Sequence, residues 1–151
     1  VQVYIVDQWK KIGIETSIKN VIARTFFSEL LNRRKLEGLA MFAWTFLPEM
    51  PPTKFYGSKY IPSETNGWMG RNYSGFKSEK LDGLLTQLEI EMSELKRQKL
   101  INEVVEIYTT EHITVPLYYR VDISVIPKSL KGFQLSGTQQ LETLFVENWF
   151  L

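Results

Sequence analysis

Histidine occurs once in this chain of 151 residues, as His112, and cysteine does not occur at all. Histidine-based metal clusters, Ser–His or Cys–His nucleophilic pairs and thiolate sites therefore each need a residue that is not here. His112 itself reads as a helix-end or surface residue, well placed near the negative end of a preceding helix dipole. Paired carboxylates could still support acid–base chemistry, and Glu49, Glu64 and Asp122 are the candidates. Spacing in sequence fixes no distance between them, and the plainer reading is solvated surface charge. No Gly-x-Gly-x-x-Gly or phosphate-binding loop is present, which argues against nucleotide use. Nothing in the chain calls for a metal or a cofactor.

What stands out is aromatic density without a reactive group. Between positions 44 and 76 lie Trp44, Phe46, Phe55, Tyr56, Tyr60, Trp68, Tyr73 and Phe76. Each ring offers roughly 150 to 250 Å² for burial, worth several kcal/mol at about 25 cal/mol per Å². Such a segment can hold a ligand without transforming it. The alternative is that the rings only pin a long loop to the rest of the fold, and it is the stronger reading for Phe55, Tyr56 and Tyr60.

The elements that must position these residues follow from periodicity. Val1, Ile5, Trp9 and Ile12 share one helical face, and Gly13 stands where a left-handed residue would end that helix. Ile14, Thr16 and Ile18 then alternate with polar residues, which predicts a half-buried strand. Thr25 can cap a second helix with Phe27, Leu30, Leu31 and Arg34 inward. The run 39–44 is apolar on both faces, as in a central strand covered on each side. Strand, helix and strand together predict a βαβ unit with a right-handed crossover.

Positions 45 to 77 hold four of the six prolines and show no sustained period, which predicts a long loop. Ser78 can cap a helix with Leu81, Leu84, Leu85 and Leu88 inward. Ser93 can cap another with Ile101, Val104, Val105 and Tyr108 inward. Leu117, Tyr119, Val121, Ile123 and Val125 alternate with polar or aromatic residues and predict a further strand, with Pro116 at its start.

Composition is that of a folded domain, with 44% hydrophobic and 23% charged residues. Eighteen basic and seventeen acidic side chains are interspersed, leaving no field to hold a nucleic-acid backbone or an anionic bilayer. No apolar run reaches the roughly 18 to 20 residues that span a membrane. The chain opens on Val1 within an amphipathic pattern, so its natural start is expected to lie upstream.

Several segments, in order, resemble the last third of the peptide-binding (family 5) extracellular solute-binding proteins of ABC importers. Trp9-Lys10-Lys11-Ile12-Gly13-Ile14-Glu15 is similar to that family's helix, "GI" and strand. Phe42-Ala43-Trp44-Thr45 is similar to its "fgWt", and Asn72-Tyr73-Ser74-Gly75-Phe76 to its "NysGy". The helices at Ser78 to Leu85 and Lys96 to Tyr108 fit those that follow. Val115-Pro116-Leu117-Tyr118-Tyr119-Arg120-Val121-Asp122 resembles "iPlyyrvd". Leu130-Lys131-Gly132-Phe133 and Glu147-Asn148-Trp149 resemble the closing segments.

The resemblance implies an α/β fold: one incomplete lobe of a class II periplasmic-binding-protein-like structure, a mixed sheet flanked by helices. Residues 1–140 would form the C-terminal ligand-binding lobe, lacking its preceding strand. Residues 141–151 would return toward a separate N-terminal lobe. It implies capture of an oligopeptide or other small solute in the periplasm or outside the cell, by closure of two lobes without chemistry on the ligand. The ligand then passes to the permease subunits of the importer, ATP hydrolysis belonging to separate subunits. No nucleic acid is involved, and the membrane is met only through the permease or a lipid anchor outside this chain.

The ligand-binding residues implied are Trp44, Thr45, Phe46 and Leu47 on one wall and Asn72 and Tyr73 nearby, with Tyr118 and Arg120 as second choices. In the family an acidic residue three positions after the Trp holds the peptide's α-ammonium, and here that position is Leu47. A ligand without an essential ammonium at that spot is expected. Two other readings remain open at this point: a carboxylate-based hydrolase using Glu49 or Asp122, and the ligand-sensing lobe of a transcription regulator. A signal peptide or lipobox upstream of Val1 would favour transport, and a helix-turn-helix would favour regulation.

Overall fold

The computed structural model describes residues 1–45, 50–119, 121, 123–137 and 141–151. Helices organise it. Helix α1 (Gln2–Lys11) ends as its sequence predicts: Gly13 takes φ +83°, and the amides of Gly13 and Ile14 donate to the Lys10 and Trp9 carbonyls at 3.1 and 2.9 Å. This 5→2 and 6→1 pattern satisfies the carbonyls that a helix end leaves open. A short helix α2 (Ala23–Thr25) runs straight into a π-helical turn, Phe26–Leu31, in which the Asn32 amide reaches back to the Phe27 carbonyl at 3.0 Å. Thr25 lies inside this element and makes no capping bond, two residues past where the helix begins.

The core is an αα pair. Helix α3 (Thr53–Tyr56) leads toward α4 (Glu79–Ile90) and α5 (Glu94–Thr110). Ser78 Oγ accepts the Leu81 amide at 3.2 Å and caps α4. Leu81, Leu84 and Leu85 pack against Val104 and Tyr108, with Tyr56, Phe76, Leu100, Ile107 and Ile113 closing over them. Leu85 is fully buried, at 0% exposure. The inward face of α5 is therefore Leu100, Val104, Ile107 and Tyr108, while Val105, expected inside, is exposed. Arg97 Nη1 joins the pair by donating to the Leu88 and Glu91 carbonyls at 2.7 and 3.1 Å, neutralising the open end of α4.

Helix α5 closes on His112, whose φ is +49°, with the Ile113 amide donating to the Tyr108 carbonyl at 3.4 Å. The one histidine is thus an exposed helix-end residue. Burial drives the Tyr108 phenol well above its ordinary range, and the neighbouring Tyr56 phenol, whose ring centre lies 3.9 Å away, pushes it the same way.

The expected α/β lobe with a mixed sheet is not what the chain forms. Among the described residues there is no strand and no sheet, only an isolated antiparallel bridge between Lys131 and Phe150. The stretches 14–19, 39–44 and 117–125 carry strand-like patterns, but a pattern states which face would be buried and supplies neither the partner edge nor the surface to bury it against. Among the described residues no partner edge is present, and for those of 117–125 the burying surface is missing as well: Tyr119 is 97% exposed and Val125 96%. The βαβ unit and its crossover fall with the strands.

The segment between Met50 and Lys77 is a long connection held by short turns, the 3₁₀ turns Ser58–Tyr60 and Glu64–Asn66 among them. Near the C-terminus, the 3₁₀ stretch Glu142–Asn148 and the Lys131–Phe150 bridge bring Trp149 to Phe133, with ring centres 5.5 Å apart.

Candidate functional site

Two anchors fix the long connection to the helical core. The first is the Ser58 amide, which donates to Asp82 Oδ1 on α4 at 2.8 Å. The second is Asn72, which is 1% exposed. Its Nδ2 faces the carbonyls of Tyr56, Gly57 and Phe76 at 3.1, 3.2 and 3.0 Å, and its Oδ1 accepts from Ser74 Oγ and the Gly75 amide at 2.8 and 3.2 Å. One amide side chain thereby ties the end of α3 to the start of α4. Next to it Gly70, at φ +129°, lies so close to the Tyr60 carbonyl that a Cβ would meet that oxygen at 2.0 Å. No other residue fits there without displacing backbone.

These anchors deliver Arg71 and Tyr73 to an aromatic cluster centred on Trp44. The Trp44 ring lies 4.8 Å from Phe55, 5.4 Å from Phe42 and 6.2 Å from Phe27, and stacks on Tyr73 at 5.7 Å with an interplanar angle of 28°. Phe42 also meets Phe26 and Phe27, both at 5.8 Å, so the two consecutive phenylalanines of the π-helical turn enter the same cluster. The Arg71 guanidinium sits 5.6 Å from the Trp44 ring centre and 5.5 Å from that of Phe55, within cation–π range. Partial burial raises the Tyr73 phenol above its ordinary range, with the Arg71 charge pulling the other way, so at neutral pH it is an uncharged hydroxyl.

This is a half-buried platform. Phe26, Phe27, Trp44, Phe55 and Tyr73 are partly covered, and Phe42 is 37% exposed. Edge-to-face and stacked rings hold one another in place, so the platform offers apolar area at small entropic cost to whatever lies on it. The Arg71 guanidinium stands over two of its rings.

Of the residues expected at the site, Trp44 and Tyr73 meet face to face. Thr45 is exposed beside Trp44, and Asn72, the residue before Tyr73, is buried with its side chain committed to the loop. Tyr118 is exposed in the stretch before position 120. Phe46, Leu47 and Arg120 lie outside the described residues, as do the candidate carboxylates Glu49 and Asp122. Tyr56 serves the core through Tyr108, whereas Phe55, one residue earlier, faces the platform. Periodicity did not single out Phe26, Phe42 or Arg71. The adjacent Phe26-Phe27 pair is the signal that could have found the first, because consecutive rings cannot both lie on one α-helical face.

Among the described residues no group of three or more His, Cys, Asp or Glu could hold a metal ion. Among them, too, no helix is long and apolar enough to cross a membrane. An open hollow of about 340 Å³ lies elsewhere, lined by Val6, Lys10, Ile14, Glu15 and Thr16, and includes none of the platform's rings.

Over 136 residues, 89% of the chain, the sequence is 24% identical to the oligopeptide-binding protein OppA of Bacillus subtilis (strain 168). The match covers 24% of that protein, so the chain spans about a quarter of its length. No family model and no solved structure matches the chain.

Proposed function

We propose that this chain is the ligand-contacting part of a solute-binding protein, which captures an oligopeptide or similar small solute outside the cytoplasm and passes it unchanged to an ABC importer. The observation that carries the reading is the Trp44 platform, a fixed and half-exposed set of rings on a chain similar over most of its length to a protein named for oligopeptide binding. Rings of this kind recognise by contact area and stacking, and they need no reactive group. The platform supplies one wall only. In a longer protein a second part would close over the ligand, which is how a shallow surface becomes a water-excluding site.

Leu47 refines the reading of the ligand. An isobutyl group at the position where the resembled family places a carboxylate gives an α-ammonium no counter-charge, and a buried charge without its partner costs about 2 to 5 kcal/mol. The ligand is therefore bound in a way that does not depend on a free amine. Calorimetry on the full-length protein, with Ala-Phe-Ala and acetyl-Ala-Phe-Ala, tests this. Affinities for the two within about threefold of each other are expected. Loss of all binding on acetylation would contradict the role given to Leu47.

A further inference from the structure

We infer that Asn66-Gly67 is a spontaneous modification site, a pair that the native turn protects and that converts to aspartate or isoaspartate when the turn opens. Asparagine is followed by glycine only here in the chain; elsewhere Val21, Arg33, Tyr73, Glu103 or Trp149 follows it. In the reaction the Gly67 backbone nitrogen gives its proton to solvent base and attacks Asn66 Cγ. A C–N bond forms and the Cγ–Nδ2 bond breaks. The leaving nitrogen takes up a proton and departs as ammonia, which leaves a five-membered imide. Water opens that ring at one carbonyl to give aspartate or at the other to give isoaspartate, with no change of oxidation state. A side chain on the following residue ordinarily shields the attacking nitrogen. Gly67 has none, it is exposed, and nothing lies within 4 Å of where a Cβ would stand. Asp82-Gly83 could form the same imide by losing water, but it lies within α4, where a helical backbone holds the Gly83 nitrogen away from the side-chain carbon.

In the folded chain both ends of the Asn66 amide are committed. Its Oδ1 accepts the Ser63 amide at 2.9 Å, its Nδ2 donates to the Ile61 carbonyl at 2.8 Å, and the Gly67 amide donates to the Glu64 carbonyl at 3.1 Å. Attack requires Cγ to turn toward Gly67 and that N–H to leave its acceptor, so these bonds must open together. The same turn carries strain that favours opening. Trp68 has φ +62°, a left-handed conformation that bulky side chains seldom adopt. It is held there by its amide, which donates to the Ser63 carbonyl at 2.7 Å, and by the Arg33 guanidinium 5.1 Å from its ring centre.

Reclosing the turn does not reverse the conversion. Aspartate lacks the Nδ2 donor to Ile61, and isoaspartate adds a methylene to the backbone. Ile61 is buried and follows Tyr60, whose carbonyl accepts the Asn72 amide at 3.1 Å and abuts Gly70. The altered turn therefore adjoins the anchors that bring Tyr73 to Trp44.

Peptide mapping of the full-length protein, incubated in mildly alkaline buffer with and without urea, tests the site. It reads the mass gain of an amide-to-acid exchange and the chromatographic separation of isoaspartyl from aspartyl peptides. Asn66 is expected to convert first among the asparagines of this chain, and urea to speed it at least about tenfold, as a reaction confined to an opened state requires. Earlier conversion at another asparagine of the chain would overturn the site, and a native rate equal to that in urea would overturn its protection by the turn. Arg33→Met leaves Asn66 and Gly67 in place and is expected to raise the native rate about threefold, the scale of one exposed cation–π contact, without changing the rate in urea. An unchanged native rate would overturn the part given to Trp68. Hydrogen exchange on Asn66→Asp reads the consequence: the Trp68 and Asn72 amides lose protection at least about tenfold while Leu85 in α4 keeps its own. Unchanged protection at Trp68 and Asn72 would overturn the link to the anchors.

Discussion

Replacing Asn72 by alanine is expected to lower the unfolding free energy by about 3 kcal/mol, the largest loss for any single polar side chain here. The substitution removes two acceptor and three donor contacts, and it leaves the carbonyls of Tyr56, Gly57 and Phe76 facing a gap. Each net hydrogen bond contributes about 1 kcal/mol, and each buried polar group left unmet costs about 1 to 3 kcal/mol, with partial relaxation limiting the sum. Asn72→Asp keeps the acceptor toward Ser74 and Gly75 but places a charge where the residue is 1% exposed, so it should do no better. Urea unfolding measures both. A loss under about 1 kcal/mol for Asn72→Ala would mean that the loop is held in some other way.

Trp44→Ala is the change expected to matter most for binding. One substitution withdraws the ring that meets Phe27, Phe42, Phe55 and Tyr73, and it also removes one of the two faces beneath Arg71. Hot-spot aromatics cost about 2 kcal/mol or more when truncated, so peptide affinity should fall at least about 30-fold. Trp44→Phe preserves an aromatic face and should recover most of it. Because Trp44 is only partly covered and lies outside the helical core, the stability lost should be smaller than for Leu85→Ala, where a fully buried leucine typically costs about 2 to 5 kcal/mol. The pair of variants separates a ring that binds from a ring that merely packs.

Where local physics decides the structure, the sequence was readable. The Leu81, Leu84, Leu85 and Leu88 stripe, the Ser78 cap and the Gly13 stop each rest on interactions within a few residues, and the structure has all three. The strands were not readable, because alternation such as that from Leu117 to Val125 fixes a face and leaves the partner unspecified, and among the described residues no partner is present. For the platform, Trp44 and Tyr73 were named from resemblance, but their meeting depends on Asn72, whose side chain acts on backbone up to 16 residues away. Nothing in the spacing of Asn72 announces that. Arg71 escaped notice for a similar reason: its significance lies in the rings it covers, and Phe55 and Trp44 come to it only through the fold.

The central claim is that the chain belongs to a protein that holds a small solute and releases it unaltered. Native mass spectrometry of the full-length protein, as purified and again after incubation with acetyl-Ala-Phe-Ala, tests this most directly. The account predicts a one-to-one complex, with a peptide released on activation at its unchanged mass, and no such complex for Trp44→Ala. Cleavage of the peptide, or a wild-type spectrum with no bound solute even at high peptide concentration, would contradict it.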